Sequence, residues 1–543
     1  MNYELLRRKN WNPGQLLAFS GIDGKTNFSS AIVVKTSEKK FALDIVLPEK
    51  CFIEFPSHNN DNNVSYLIAG DFFELKHSSG KYLGAFIDSD HLLLIGTPIF
   101  IKNSDKIKVL QNAEKTLIGS ADNFNKNLIE QNIEDLIKKR SKFLRDIKLP
   151  ERISHIRART LAKALSLMKT QVYSPQGKIA CRWTTPDRWP HRNMWLWDSV
   201  FHAIGWRHFD LKMARESIEA VLHMQREDGF IPHMMSPEGC SNITQPPILS
   251  YGVTLIDMIA PDDDWIKTLY PSLCAYIRWD MNNRDKDSDG LLEWFIENNE
   301  NCRSGESGMD NSPRFDSAEI LAATDFNSYL ALECECLANF AKRIGYNDDA
   351  KKWTREYKRI VKLINAKLWN SREKFYFDYN NEKRSFSPIM ASSGFLPLLC
   401  HEVDQVRLGS LISYLKDPNY FASPLPISSI SLSDARYSKD MWRGPVWINI
   451  NWLIANGLER NKVSDIATEL RKRTIDEIEK FVELDAVFYE YYDDSCAQSP
   501  KELPRKGKCA PFESPYHQVI HDYGWSATLY ADIVMNQVKR EKL

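Results

Sequence analysis

The spacing of apolar residues changes character about a quarter of the way along the chain. Up to about residue 120 the apolar positions fall in short β-type runs: AIVVKT from Ala31, FALDIVLP from Phe41, YLIAG from Tyr66, HLLLIG from His91 and PIFIK from Pro98. Turn-rich pieces such as SHNNDNN from Ser57 and HSSGK from His77 separate them. Short strands between such turns predict an antiparallel β-sandwich. From about residue 125 the period becomes helical. Ile129, Ile133, Leu136, Ile137 and Leu144 trace one face; Leu211, Ala214, Ile218, Val221 and Leu222 trace another. The same spacing returns in Leu330, Cys334, Leu337 and Ala341, in Ala350, Trp353, Tyr357, Ile360 and Ile364, in Val463, Ile466, Leu470 and Ile478, and in Trp525, Leu529 and Ile533. About a dozen helices are expected, joined by long loops rich in Trp, Pro, Gly and Asp. No sequence repeat is evident, which favours a closed helical toroid over a solenoid. The division predicts a β-sandwich domain over 1–125 and a helical domain over 126–543.

Composition narrows the function. The 543 residues carry 71 basic and 72 acidic side chains, a net charge of -1. That balance speaks against a nucleic-acid or anionic-membrane partner, and no apolar run is long enough to span a bilayer. The N-terminus, MNYELLRRKNWNPG, lacks the apolar stretch of a signal peptide. Ten cysteines show no metal-ligand or disulfide spacing and read as reduced core residues of a cytoplasmic protein, which makes the sequons at Asn27, Asn63 and Asn242 irrelevant. Of 15 tryptophans only Trp11 precedes residue 183, and Trp183, Trp189, Trp195, Trp197, Trp294, Trp442 and Trp447 fall in loops beside Asp, Arg and Gln. Flat aromatic faces among polar side chains suit a sugar, whose C–H faces stack while its hydroxyls seek hydrogen bonds.

Two segments carry candidate chemistry. ESGMDNSPRFD, Glu306 to Asp316, places Asp310 in a glycine- and serine-rich turn; FYEYYD, Phe488 to Asp493, sets Glu490 between Tyr489 and Tyr491. Hydrolysis of a glycosidic bond needs one protonated and one ionised carboxyl, and two different settings can supply both. Asp310 as the acid must hold its proton, so Arg303 and Arg314 are expected to pair with Glu306, Asp316 or substrate; Asp493 is a rival to Glu490 as the base. Other chemistry has little footing. DGKT from Asp23 lacks the first glycine of a phosphate loop, with Phe19 in its place, and PDDDW from Pro261 reads as a helix cap before Trp265. RDKDSDGLLEW from Arg284 holds Asp285, Asp287, Asp289 and Glu293 at alternate positions around Gly290, a spacing that suits a structural Ca²⁺, although the twelfth position is Ile296 where an EF-hand has Glu.

With MWLWDSVFH (Met194 to His202), QREDGFIPH, TQPP, LWNSREKFYFDY, MWRGPVW and GWSA, these motifs occur in one order. In that order the chain resembles the (α/α)6-barrel glycosidases of family 63 and the related trehalases of family 37, from about Arg182 to Ala531. The resemblance implies a mainly α protein with a toroidal catalytic domain and an inverting mechanism, Asp310 as general acid and Glu490 as general base. It implies Trp197, Asp198, His202, Gln245, Glu306, Trp442, Arg443, Tyr491 and Trp525 as sugar-binding residues, and no required cofactor. Members of this shape act on α-glucosides or on α-mannosyl or α-glucosyl glycerate, so the partner is a small carbohydrate. A glycerate carboxylate would call on Arg182, Arg188, Arg192 or Arg443. A sugar-binding protein without catalysis, or a phosphorylase, is the alternative on the same fold; oligomeric state is not encoded in any motif.

Overall fold

A computed structural model describes residues 1–56, 64–77, 80–96, 100–101, 104–401, 403–507 and 514–540. The SHNNDNN turn with Asn63, and parts of HSSGK and PIFIK, lie outside the described residues.

The N-terminal region holds two antiparallel sheets. One has seven strands, in the order Arg7–Arg8, Ser65–Ile68, Phe72–His77, Gly80–Asp88, His91–Ile95, Lys115–Ser120 and Ile107–Gln111; the other has five, Phe100–Ile101, Cys51–Glu54, Ala42–Leu47, Val33–Thr36 and Leu16–Ala18. Strand alternation decides what they bury. Tyr66, Ile68, Phe73, Leu75, Leu92, Leu94 and Ile118 meet Leu17, Val34, Leu43, Ile45 and Ile53 in a core between the sheets. Their neighbours Leu67, Phe72, Leu93 and Leu117 point the other way, into the core of the helical region. Both faces of the seven-stranded sheet are thus covered, which is why HLLLIG is apolar at consecutive positions.

Thirteen α-helices follow among the described residues. Buried and amphipathic segments alternate. Leu196–Trp206, Leu249–Asp257, Thr324–Arg343, the 3₁₀ turns Ser392–Leu399, Ile448–Arg460 and Gly524–Arg540 are largely enclosed. Leu211–Leu222, Asp263–Asn283, Asn347–Leu363, Gln405–Lys416 and Ser464–Asp485 bury one face only. His155–Thr170 belongs with these by order but is covered by the sheets. The last helix packs on both His155–Thr170 and Leu196–Trp206, bringing the end of the array back to its start. The side chain of Asp262 accepts a hydrogen bond from Trp265 N–H, so PDDDW is the helix cap the sequence predicted.

Ion pairs cross between sheets and helices. Asp522 accepts from Leu16 N–H (2.8 Å), Lys163 Nζ (2.7 Å) and Phe488 N–H (3.3 Å), so one buried carboxylate ties a sheet strand, a helix and the segment carrying Glu490. Arg188 stacks 3.8 Å from the Tyr173 ring and donates to the carbonyls of Phe19 and Val172. No described helix is long and apolar enough to cross a membrane. The described cysteines form no disulfide, but Cys240 is exposed and Cys181, Cys302 and Cys496 are half-buried, so the expectation that the cysteines are core residues holds only for the rest of the described set.

Candidate active site

The motifs converge because each lies where the chain enters a buried helix. Trp197 and Asp198 open Leu196–Trp206, Gln245 precedes Leu249–Asp257, Asp310 precedes Thr324–Arg343, Trp442 and Arg443 precede Ile448–Arg460, and Glu490 and Trp525 flank the start of Gly524–Arg540.

Asp310 and Glu490 are brought together by two successive cations. Lys506 Nζ lies 2.9 Å from Asp310 Oδ2, and Arg505 grips Glu490 with two hydrogen bonds of 2.8 and 2.9 Å. The turn bearing these cations is held by Tyr491, whose hydroxyl donates to Pro504 O (2.6 Å), and by Asp440, which accepts from Gly507 N–H (2.8 Å). Burial pushes the Asp310 carboxyl up, but Lys506, with Arg505 and the Cys302 thiol behind it, more than offsets this and holds it below the usual carboxylate range. The expectation that Asp310 holds its proton therefore meets a cation that the sequence did not reveal. The guanidinium groups of Arg303 and Arg314 do not pair with Asp310, as expected, but have other partners: that of Arg303 lies 4.0 Å from Glu300, and that of Arg314 is sandwiched between Asp325 and Asp378.

The Asp310 loop is fixed on both sides. Gly308 takes φ +70 and abuts the Trp197 ring. The WRGP loop clamps the far side, with Trp442 N–H on Asn311 Oδ1 (3.0 Å) and Arg443 on Asn311 O (3.1 Å) and, by two bonds, on Asp316. Arg443 is thus occupied in holding the loop and is not a free sugar ligand. Glu306 is corrected more strongly: its carboxylate accepts from Arg284 Nε (2.6 Å) and Nη2 (2.7 Å), Thr244 N–H (3.1 Å) and Phe295 N–H (3.2 Å), which uses up its acceptor capacity. Asp493 is likewise saturated by Lys439, Ser495 and the N–H groups of Ala497 and Gln498, which removes it as a rival to Glu490.

Around the carboxylates stand aromatic walls. Trp442 lies flat on Trp447 at 3.8 Å, Trp447 meets Tyr491 at 4.8 Å, and Trp525 stands edge-on to Trp197 at 5.3 Å. The indole N–H groups of Trp195, Trp442 and Trp525 are buried without a partner, a costly state that hydroxyls of a ligand would relieve. Gln245 accepts from Trp197 N–H (3.2 Å). Burial pushes the Asp198 carboxyl up to about 8, with Tyr523 Oη 3.3 Å away; that tyrosine has no place in the sequence motifs. His202 shares Nδ1 with Thr184 Oγ1 (2.8 Å) and is held neutral by burial, while its Nε2, set against Gly524, is buried without a partner. His233, whose ring meets that of Trp195 at 5.0 Å, Tyr523, Arg505 and Lys506 were missed by sequence reasoning. His233 closes the quoted motif QREDGFIPH; the two cations lie in PRKGK, outside every quoted motif.

The carboxylates of Asp285, Asp287, Asp289 and Glu293 form a separate cluster with ligand oxygens within 4.8 Å of one another. Asp285 Oδ1 and Glu293 Oε1 are buried there without a partner, and burial pushes Glu293 up to about 8. An all-oxygen set of this kind fits a hard cation such as Ca²⁺.

Paired carboxylates within tryptophan walls on a mainly helical scaffold match the class of helical glycoside hydrolases. Residues 191–526 match the model of the mannosylglycerate hydrolase MGH1-like glycoside hydrolase domain, and the chain belongs to that family, within glycoside hydrolase family 63. It is 25% identical over 392 residues to a mannosylglycerate hydrolase of Thermus thermophilus, covering 57% of this chain and 91% of that protein. It is 23% identical to a glucosylglycerate hydrolase of Mycolicibacterium hassiacum, covering 57% and 87%. Its fold is similar to that of the crystal structure of the Thermus thermophilus family 63 mannosylglycerate hydrolase in complex with glucose, with a TM-score of 0.57 at 21% identity over 69% of this chain and 99% of that one.

Proposed function

We propose that this protein hydrolyses an α-glycoside of glyceric acid, α-mannosyl or α-glucosyl glycerate, with inversion. Asp310 is the general acid and Glu490 the general base in this reading. The observation that carries it is the convergence of the two carboxylates on Lys506 and Arg505 of one turn, inside aromatic walls that present unpartnered indole N–H groups. The acid protonates the departing oxygen while Glu490, oriented by Arg505, takes a proton from the water that attacks the anomeric carbon. Trp197, Trp442 and Trp525 supply stacking faces, and Gln245 and Asp198 meet hydroxyls. The alternation of buried and half-exposed helices supports the (α/α)6 toroid, with residues 1–125 as a sheet domain that braces the Glu490 segment through Asp522 and residues 126–543 as the catalytic domain. A structural Ca²⁺ in the Asp285–Glu293 cluster would tie the turn after Asp263–Asn283 to the body of the toroid; no step of catalysis passes through it.

The test is hydrolysis of α-mannosyl and α-glucosyl glycerate beside α-linked glucose and mannose disaccharides, with the anomer released followed by NMR. Release of the β-anomer, abolished in Asp310→Asn and in Glu490→Gln, is expected. Release of the α-anomer, or full activity in either variant, would overturn the assignment.

A further inference from the structure

Four arginines were candidates to meet a carboxylate on the leaving group, and the structure commits three of them elsewhere. Arg182 is bound to Glu216, Arg188 donates to backbone carbonyls and Arg443 is paired with Asp316, while Arg192 stacks 4.0 Å from the Phe28 ring. Arg505 is spent on Glu490. What remains beside Asp310 is Lys506, and its partner is Asp310 itself.

Resting on the glycosidase reading above, we propose that Lys506 recognises a carboxylate on the leaving group and, by exchanging Asp310 for it, arms Asp310 as the acid, so that the enzyme selects acidic aglycones in the chemical step rather than in binding alone. The two ends of the exchange fit. Asp310 and Lys506 side chains are each about a fifth exposed, at 23% and 22%, so the pair faces the space a leaving group would enter. An ammonium on a flexible stem can swing between two carboxylates, whereas the forked Arg505 is locked on Glu490.

The charges give the coupling. Asp310 and Lys506 together are neutral. An arriving carboxylate makes the group of three net negative, and a cation shared between two acids charge-compensates only one. Asp310, mostly buried and stripped of its partner, is then driven by desolvation to take a proton from solvent. Its other neighbours divide. Cys302 donates to it and Arg505, already paired with Glu490, lies behind it, and both favour the ionised form; Glu297 is acidic and favours protonation; and His233 is held neutral by burial, pushed down to about 4. The proton taken up is given to the glycosidic oxygen as its bond to the anomeric carbon breaks. The proton that Glu490 removes from water returns to solvent, so the cycle closes on glycoside plus water giving sugar plus hydroxy acid.

The comparison that isolates this is α-glucosyl glycerate against α-glucosyl glycerol, which differ by a carboxylate in place of CH₂OH, run on the wild type, Lys506→Met and Lys506→Arg. The wild type should show a kcat preference for the glycerate that falls roughly 10–100-fold in Lys506→Met, one decade for each unit by which the Asp310 acidity is no longer coupled. Lys506→Arg should keep part of the preference. Independently of turnover, calorimetric titration with D-glycerate in two buffers of different ionisation enthalpy should register proton uptake near pH 7. Glycerol should register none, and Asp310→Asn should bind D-glycerate without uptake. Equal losses on both glycosides in Lys506→Met, or D-glycerate binding without proton uptake in the wild type, would overturn the proposal. Failure to hydrolyse any glycoside would instead sink the glycosidase reading, and the proton count on D-glycerate would still decide the role of Lys506.

Discussion

Gly308 is the residue on which the position of Asp310 is most easily tested. It takes φ +70, and a Cβ built on it stands 2.3, 2.7 and 2.8 Å from Cζ2, Cη2 and Cε2 of Trp197. Ordinary carbon contacts are about 3.5–4.0 Å, so the ring or the loop must move by about 1 Å. Trp197 cannot give way cheaply, since Trp525 and Phe201 pack on it and its backbone N–H is bonded to Gln245. Gly308→Ala therefore carries about 1–2 kcal/mol for the left-handed conformation and about 1–3 kcal/mol for overpacking, about 2–5 kcal/mol in sum. Two other glycines separate these terms. Gly345 has φ +85 with no atom within 4 Å of its Cβ position, so Gly345→Ala isolates the backbone strain, while Gly239 has neither and serves as a blank. Thermal unfolding midpoints should fall in the order Gly239→Ala, Gly345→Ala, Gly308→Ala. Only the last should also reduce kcat, by about 100-fold if Asp310 shifts by 1 Å. If Gly308→Ala is no less stable than Gly345→Ala, or retains full kcat, the contact with Trp197 does not set the acid loop.

Three further outcomes follow from buried charge. Arg284→Met leaves Glu306 enclosed without its counter-ion and should cost about 3–5 kcal/mol in thermal unfolding, whereas the double variant with Glu306→Gln should recover part of that loss; no recovery would mean Arg284 acts only by packing. Burial pushes the Asp493 carboxyl up, but hydrogen bonds from Lys439, Ser495 and Gln498 override it and take it down to about 2, below its unfolded value, so its stabilisation is complete above about pH 4 and fades as the pH falls towards 2. The stability gap between wild type and Asp493→Asn should shrink between about pH 4 and 2 on that account, and a constant gap would refute the ion-pair origin. If the Asp285–Glu293 cluster holds Ca²⁺, the ion at a hundred times its Kd should add about 2.7 kcal/mol, chelation should lower the melting temperature, and Asp287→Asn should abolish both responses; a wild type indifferent to Ca²⁺ ends that reading.

What could be read in advance was whatever is local. The helical faces around Leu211–Leu222, Thr324–Arg343 and Asn347–Leu363 are periodic because each is an amphipathic or buried element in its own right. The strands Phe72–His77, Gly80–Asp88 and Lys115–Ser120 went unnoticed because polar and glycine positions interrupt their apolar pattern, and because burial of both sheet faces removes the alternation that marks a strand. Asp310 and Glu490 were visible through their aromatic and turn-forming neighbours. Their counter-ions were not, since Lys506 reaches Asp310 only through tertiary structure. The same blindness misled the reading of Glu306. A carboxylate in a motif looks free for substrate until Arg284, Thr244 and Phe295 are seen to fill it.

Long-range pairing also changes how the site must work. Asp310 with Lys506 and Glu490 with Arg505 form two ion pairs whose formal charges cancel. Inverting hydrolysis with this pair needs one more proton than that arrangement holds, because the acid must be neutral while the base stays ionised. Segment 440–443 ties the four together: Asp440 holds the turn of the two cations, while Trp442 and Arg443, two and three residues on, hold the loop of the acid. Widening the site to lower the influence of Lys506 would therefore displace the base's counter-ion as well. On the exchange proposed above, a charge on the ligand would draw Lys506 away, leave the framework in place and let the one carboxyl that needs a proton take it up. Selectivity for an acidic leaving group and readiness of the acid would then be one electrostatic event, located at Lys506 and separate from the tryptophans proposed to grip the sugar.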